Sequence, residues 1–92
     1  MQLQELTYDL ANELELKEPR GALVAAVERG GPAFRAGLRP SDVIVAFDGK
    51  EVATTADLPR FIGSARPGAD VPVEVWRNAA RSKVRIAVEP QR

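Results

Sequence analysis

A chain of 92 residues is one small domain, and at that length only about 60–65% of the unfolded surface can be buried, so the core is thin. Its 13 basic and 13 acidic residues cancel, which argues against nucleic-acid binding, where a basic excess or stripe is expected. Cysteine and histidine are absent, which removes disulfides, thiolate chemistry, the commonest general base and the commonest zinc ligand, so no metal or other cofactor is expected.

Gln2 to Leu6 alternate polar and apolar residues from Met1 onward, the period of a half-buried strand. Thr7 has the chemistry of a helix cap, with Asp9 in the first turn. Leu6, Leu10, Ala11 and Leu14 make a narrow stripe that can pack on a sheet, and the segment 17–21 ends that helix. Ala22 to Val27 form a short apolar run of strand length. Pro32 suits the first position of a one-turn helix over 33–36, and Gly37 suits its left-handed exit.

Val43 to Phe47 read as a buried strand, and Asp48-Gly49 is the favoured pair for a two-residue hairpin turn into Lys50-Glu51-Val52. Thr54 or Thr55 then caps a helix predicted over 55–64, with Pro59 four or five positions in, where a missing N–H costs least. Val71, Val73 and Val75 alternate with Pro72, Glu74 and Trp76, which puts Trp76 on the outer face. Asn78-Ala79 turns the chain, and Val84, Ile86 and Val88 alternate through the last strand. The count is five or six strands and two or three helices without an internal repeat, an α+β set that suits a small antiparallel sandwich or open barrel.

Catalysis finds no support. Ser41, Ser64 and Ser82 have no histidine to activate them, and Lys17, Lys50 and Lys83 lie in polar contexts. Gly30-Gly31 lacks the spacing and the lysine of a phosphate loop. No apolar run approaches the length of a membrane span, and the start carries no signal-type apolar region, so no membrane insertion is expected. Binding is the class that remains.

The segments Arg20-Gly21-Ala22-Leu23-Val24, Gly31-Pro32-Ala33, Ala36-Gly37-Leu38-Arg39-Pro40-Ser41-Asp42-Val43-Ile44 and Asp48-Gly49-Lys50 resemble a PDZ domain. With Asp57-Leu58-Pro59, Arg66-Pro67-Gly68 and Val73-Glu74-Val75-Trp76-Arg77-Asn78, they look most like the first such domain of bacterial Do/HtrA-type periplasmic serine proteases. The resemblance covers essentially the whole chain. It implies a five- to six-stranded antiparallel sandwich or open barrel capped by two or three short helices. It also implies a peptide-binding module that takes apolar C-terminal segments as an added strand. Residue by residue, it puts Met1, Gln2, Leu3, Gln4 and Glu5 on the strand wall of the groove and Pro59 with Ile62 or Gly63 on the helix wall.

Leu3 and Ile62 are also at core spacing, and Leu58 and Phe61 read as core. The carboxylate-binding Leu-Gly loop is expected upstream of Met1. Implied partners are C-terminal or extended peptides of unfolded envelope proteins and a protease domain of the same chain, in a homo-oligomeric periplasmic parent. The alternative reading is a structural or assembly domain with no free-peptide ligand. Two departures from the family pattern carry conformational expectations. Ser41 stands at a usual glycine, where a negative φ would accommodate it. Ala79 stands at another, which predicts a final hairpin loop longer than two residues or of another turn type.

Overall fold

Strand β1 (Gln2–Glu5) begins the described part of the chain, residues 2–66 and 68–87 of a computed structural model. Met1, Pro67 and Val88 therefore lie outside the described residues. Helix α1 (Tyr8–Glu13) follows, then β2 (Ala22–Ala26), α2 (Pro32–Ala36), β3 (Val43–Phe47), β4 (Lys50–Glu51), α3 (Asp57–Ser64), β5 (Asp70–Arg77) and β6 (Ala80–Ala87). The six strands form one antiparallel sheet in the order β1-β2-β3-β5-β6, with β4 paired to β3 beside β2.

The sheet is packed on both faces, which explains why β3 is apolar throughout. Ala22, Val24, Ile44, Phe47, Val52, Leu58, Val71, Val73 and Val75 meet in the larger cluster under α2 and α3. Leu6, Leu23 and Val43 turn the other way, onto Ala11 of α1. Each fully buried Leu or Val side chain contributes roughly 1.5–3 kcal/mol, so a thin core of small valines still holds a domain of this size. Trp76 is half-buried on the second cluster, and its indole Nε1 donates to Leu14 O at 2.6 Å. The outward position expected for it is thus covered by the end of α1.

Helix ends explain several boundaries. Thr7 Oγ1 accepts from Leu10 N at 3.2 Å, as its cap position predicts. The same helix stops earlier than the apolar stripe suggests, because Glu15 adopts φ 62°. The N–H groups of Glu15 and Leu16 then return to Asn12 O at 3.1 Å and Ala11 O at 2.8 Å, a Schellman closure with glutamate in the usual glycine position. Gly37 does take the left-handed exit of α2, at φ 95°.

Three expectations are corrected. Ser41 has φ 78° rather than a negative value. Its N–H donates to Val24 O at 2.9 Å, and the N–H of Asp42 donates to Arg39 O at 3.1 Å, so pairing to β2 holds the strained residue. The β5–β6 hairpin does close in two residues, with Arg77 paired to Ala80 and φ of 52° at Asn78 and 61° at Ala79. A ladder of eight residue pairs imposes the primed turn despite the Cβ of Ala79, whose left-handed conformation costs about 1–2 kcal/mol.

Helix α3 begins at Asp57, and neither Thr54 nor Thr55 caps it. The Asp57 carboxylate instead reaches back, Oδ2 accepting from Ala53 N at 2.9 Å and Thr54 N at 3.1 Å. Pro59 is the third helical residue, where an N–H has no acceptor inside the helix, so the proline removes no bond and the first turn needs no distortion.

Candidate functional site

Strand β1 is an edge. Gln4 and Glu5 pair with Leu23 and Ala22 of β2, and Leu3 with Val24, while no described strand pairs with the other side of β1. An unpaired row of N–H and C=O groups is a template for a further strand, and folded proteins otherwise cover or blunt such an edge. Along β1, Leu3 is half-buried against the larger core cluster, whereas Gln2, Gln4 and Glu5 are exposed.

Helix α3 supplies the opposing wall. Leu58 anchors it at 1% exposure, and Phe61 and Ile62 are half-buried against the same cluster as Leu3. Phe61 lies toward β4, with Lys50 Nζ 5.5 Å and the Arg60 guanidinium 5.9 Å from its ring centre. That leaves Ile62 as the half-buried apolar residue of the helix free of these cation contacts. Pro59 and Gly63 flank it at helical spacing and are exposed. A Cβ built on Gly63 meets nothing within 4 Å, so this wall has open space before it.

The two walls touch through side chains at one end. Thr55, just before α3, donates its hydroxyl to the carboxylate of Glu5 at the end of β1. Asp57 braces the same turn: its bonds from Ala53 and Thr54 N–H, with Arg60 Nη2 at 3.0 Å from Oδ1, hold its carboxyl below the usual carboxylate range.

Far from this groove, Asp42 is 2% exposed and grips Arg77, with Nε to Oδ1 at 2.8 Å and Nη2 to Oδ2 at 2.5 Å. The bond to Asp42 raises the pKa of the Arg77 guanidinium. Asp42 Oδ2 also accepts from Arg39 N at 2.9 Å, and Arg77 Nη2 donates to Gly37 O at 2.7 Å. One ion pair therefore ties the exit of α2, the entry of β3 and the end of β5.

Among the sequence-predicted site residues, Gln2, Leu3, Gln4 and Glu5 fall on the open edge, and Pro59, Ile62 and Gly63 on one face of α3; Met1 lies outside the described residues. The sequence marks Thr55 as a cap or first residue of this helix but not as a partner of Glu5, and nothing in it announces the Asp42–Arg77 pair. The aspartate of the Pro-x-Asp-Val-Ile segment was visible, but no local spacing points to an arginine 35 residues on. No group of three or more Asp or Glu side chains that could hold a metal occurs among the described residues, and no described helix is long and apolar enough to cross a membrane.

A family model described as "PDZ domain" matches residues 2–88. A probable periplasmic serine endoprotease, DegP-like, of Pseudomonas fulva (strain 12-X) is 42% identical over 86 residues, which are 94% of this chain and 18% of that protein. A protein of the same description from Hahella chejuensis (strain KCTC 2396) is 41% identical over the same extent. The chain thus spans less than a fifth of the length of these relatives. Among solved structures, an HtrA-type protease AlgW with decapeptide superposes with a TM-score of 0.85 at 34% identity, covering 99% of this chain and 28% of that one. The HtrA3 PDZ domain bound to a phage-derived ligand (FGRWV) shares the fold, with a TM-score of 0.78 at 23% identity over 95% of this chain and 79% of that one.

Proposed function

Because the chain belongs to the PDZ domain family of DegP-like periplasmic serine endoproteases, we propose that it binds the apolar C-terminal ends of extended peptides. The peptide adds antiparallel to the free edge of β1, with α3 closing the groove over it. The observation that carries this reading is the unpaired edge of β1 facing an apolar wall, with Leu3 on one side and Ile62 on the other. The outward-facing backbone groups along Gln2, Leu3, Gln4 and Glu5, those of every second residue, supply bonds that do not depend on ligand sequence, and Pro59, Ile62 and Gly63 select the side chain. In the same reading the terminal carboxylate belongs to the Leu-Gly loop that the family pattern puts ahead of the strand wall.

Burial of one apolar side chain contributes about 1.5–3 kcal/mol, and each net hydrogen bond about 1 kcal/mol. Association and ordering costs oppose these, so the expected Kd is on the order of micromolar. Solved HtrA-type relatives carry peptide ligands, which supports the same class of partner here. The setting is periplasmic, as for the relatives. The chain itself is the binding domain, and in a parent endoprotease it regulates or supplies the protease domain with exposed ends of unfolded envelope proteins, within a homo-oligomer.

The test is a titration of apolar-ended peptides with a free or an amidated C-terminus, against the domain with and without its upstream Leu-Gly residues. Micromolar binding that weakens about tenfold on amidation supports the proposal, since a charge-assisted bond is worth roughly 1.5–3 kcal/mol. Absence of binding in both forms of the domain overturns it and favours a structural or assembly role.

A further inference from the structure

Resting on that reading of β1 and α3, we propose that Glu5 and Thr55 form a charge-selective subsite that takes a lysine or arginine side chain of the bound peptide. Side chains alternate across a strand, so Leu3 and Glu5 share one face of β1 while Gln4 takes the other. Their contacts identify that face: Leu3 packs on the cluster that holds Ile62, and Glu5 reaches Thr55 at the start of α3. A strand added antiparallel to β1 presents the side chains directly opposite Leu3 and Glu5 on this same face, two ligand residues apart.

The two subsites differ in chemistry. Opposite Leu3 the groove is apolar. Opposite Glu5 it carries an exposed carboxylate bonded to a neutral hydroxyl, and no Lys or Arg among the described residues pairs with it. Asp57, a few residues from Thr55, is by contrast fully engaged with two backbone N–H groups and Arg60. Exchanging the Thr55 hydroxyl for a ligand ammonium or guanidinium turns a neutral-donor bond into a doubly charged one, the stronger kind. The freed hydroxyl rotates to water at little cost. A ligand Asp or Glu at this position instead meets a like charge directly across the ladder, which destabilises the pair.

Register places the subsite along the ligand. When the third residue from the ligand's end faces Leu3, the fifth faces Glu5. The pair is solvent-exposed, so it tunes selectivity by a few-fold.

The experiment uses one apolar-ended host peptide in which a single Lys, Glu or Ala is moved from the third to the sixth residue from the free C-terminus. Each peptide is titrated against the domain carrying its upstream residues. The expected result is about fivefold tighter binding of Lys than of Glu at the fifth position, shrinking as salt screens the pair. Glu5→Gln brings the two within about twofold, whereas Thr55→Val keeps the preference at or above its original size. Equal binding of Lys and Glu at every position, or a preference that survives Glu5→Gln, overturns the subsite alone. Failure of the Ala host peptide to bind overturns the groove itself, and the subsite with it.

Discussion

Asp42 and Glu5 are both carboxylates beside strand ends, yet their surroundings are opposite. Asp42 is buried, held bidentately by Arg77 and bonded to the N–H of Arg39. Glu5 is exposed on an unpaired edge and bonded to a hydroxyl. The first joins segments far apart in sequence and leaves nothing for a ligand to take. The second spans two elements that the sheet does not join, through a bond that a ligand can replace. In this small domain, satisfied and buried charge marks the scaffold, and exposed charge with an exchangeable partner marks the place where specificity can be built.

The scaffold side of that contrast carries the largest expected effects. Asp42→Ala leaves the Arg77 guanidinium and the Arg39 N–H without their acceptor, and it should cost about 3 kcal/mol or more in chemical denaturation. That is a large part of a typical domain's stability of 5–15 kcal/mol. Gly21→Ala belongs to the same class. Gly21 sits at φ +128°, and a Cβ there would lie 2.6 Å from Val43 Cγ1 and 2.9 Å from the backbone oxygen of Ile44, so a loss of about 2–3 kcal/mol is expected. Stability within about 0.5 kcal/mol of the parent for either variant would mean that these contacts do not organise the sheet.

The groove side should show the reverse pattern, binding lost with the fold retained. Ile62→Asp is expected to lower affinity for an apolar-ended peptide at least tenfold, because the lost apolar contact alone is worth about 1.5 kcal/mol. Its unfolding transition should stay cooperative. Loss of cooperativity would show instead that Ile62 is core.

A smaller effect tests the turn that carries Thr55. The Asp57 carboxyl is held below its ordinary value by the N–H groups of Ala53 and Thr54. Its contribution is therefore complete above the unfolded carboxylate value of about 3.9 and disappears as pH falls through the lowered folded value. Asp57→Asn should flatten the acid limb of the stability profile below about pH 4 and leave its slope near neutrality unchanged. An unchanged acid limb would remove Asp57 from the brace.

Much of the fold was legible because its signals are local. The Pro32 start and Gly37 exit of α2, the Asp48-Gly49 turn and the valine alternation of β5 each follow from a single residue's backbone or from period two. What misled was also local reasoning. Ser41 and Ala79 were expected to avoid positive φ, yet the Ser41 N–H bond to Val24 and the β5–β6 ladder fix their conformations from outside the turn. Thr54 and Thr55 have the chemistry of caps, but α3 begins beyond them at Asp57, whose carboxylate takes the N–H groups of Ala53 and Thr54 instead. For the candidate site, the strand wall showed in the alternation of Gln2 to Leu6 and the helix wall in the resemblance. The Thr55–Glu5 contact spans 50 residues, a distance that no periodicity reports.

The most direct test of the central claim, that β1 and α3 form one peptide groove, is amide chemical-shift mapping during titration with an apolar-ended peptide bearing a free carboxylate. The account predicts saturable shifts at micromolar concentration, largest at Leu3, Gln4, Glu5, Ile62 and Gly63, with β6 and the Asp42–Arg77 clamp unmoved. Shifts centred on β6 or around Trp76, with β1 silent, would contradict it.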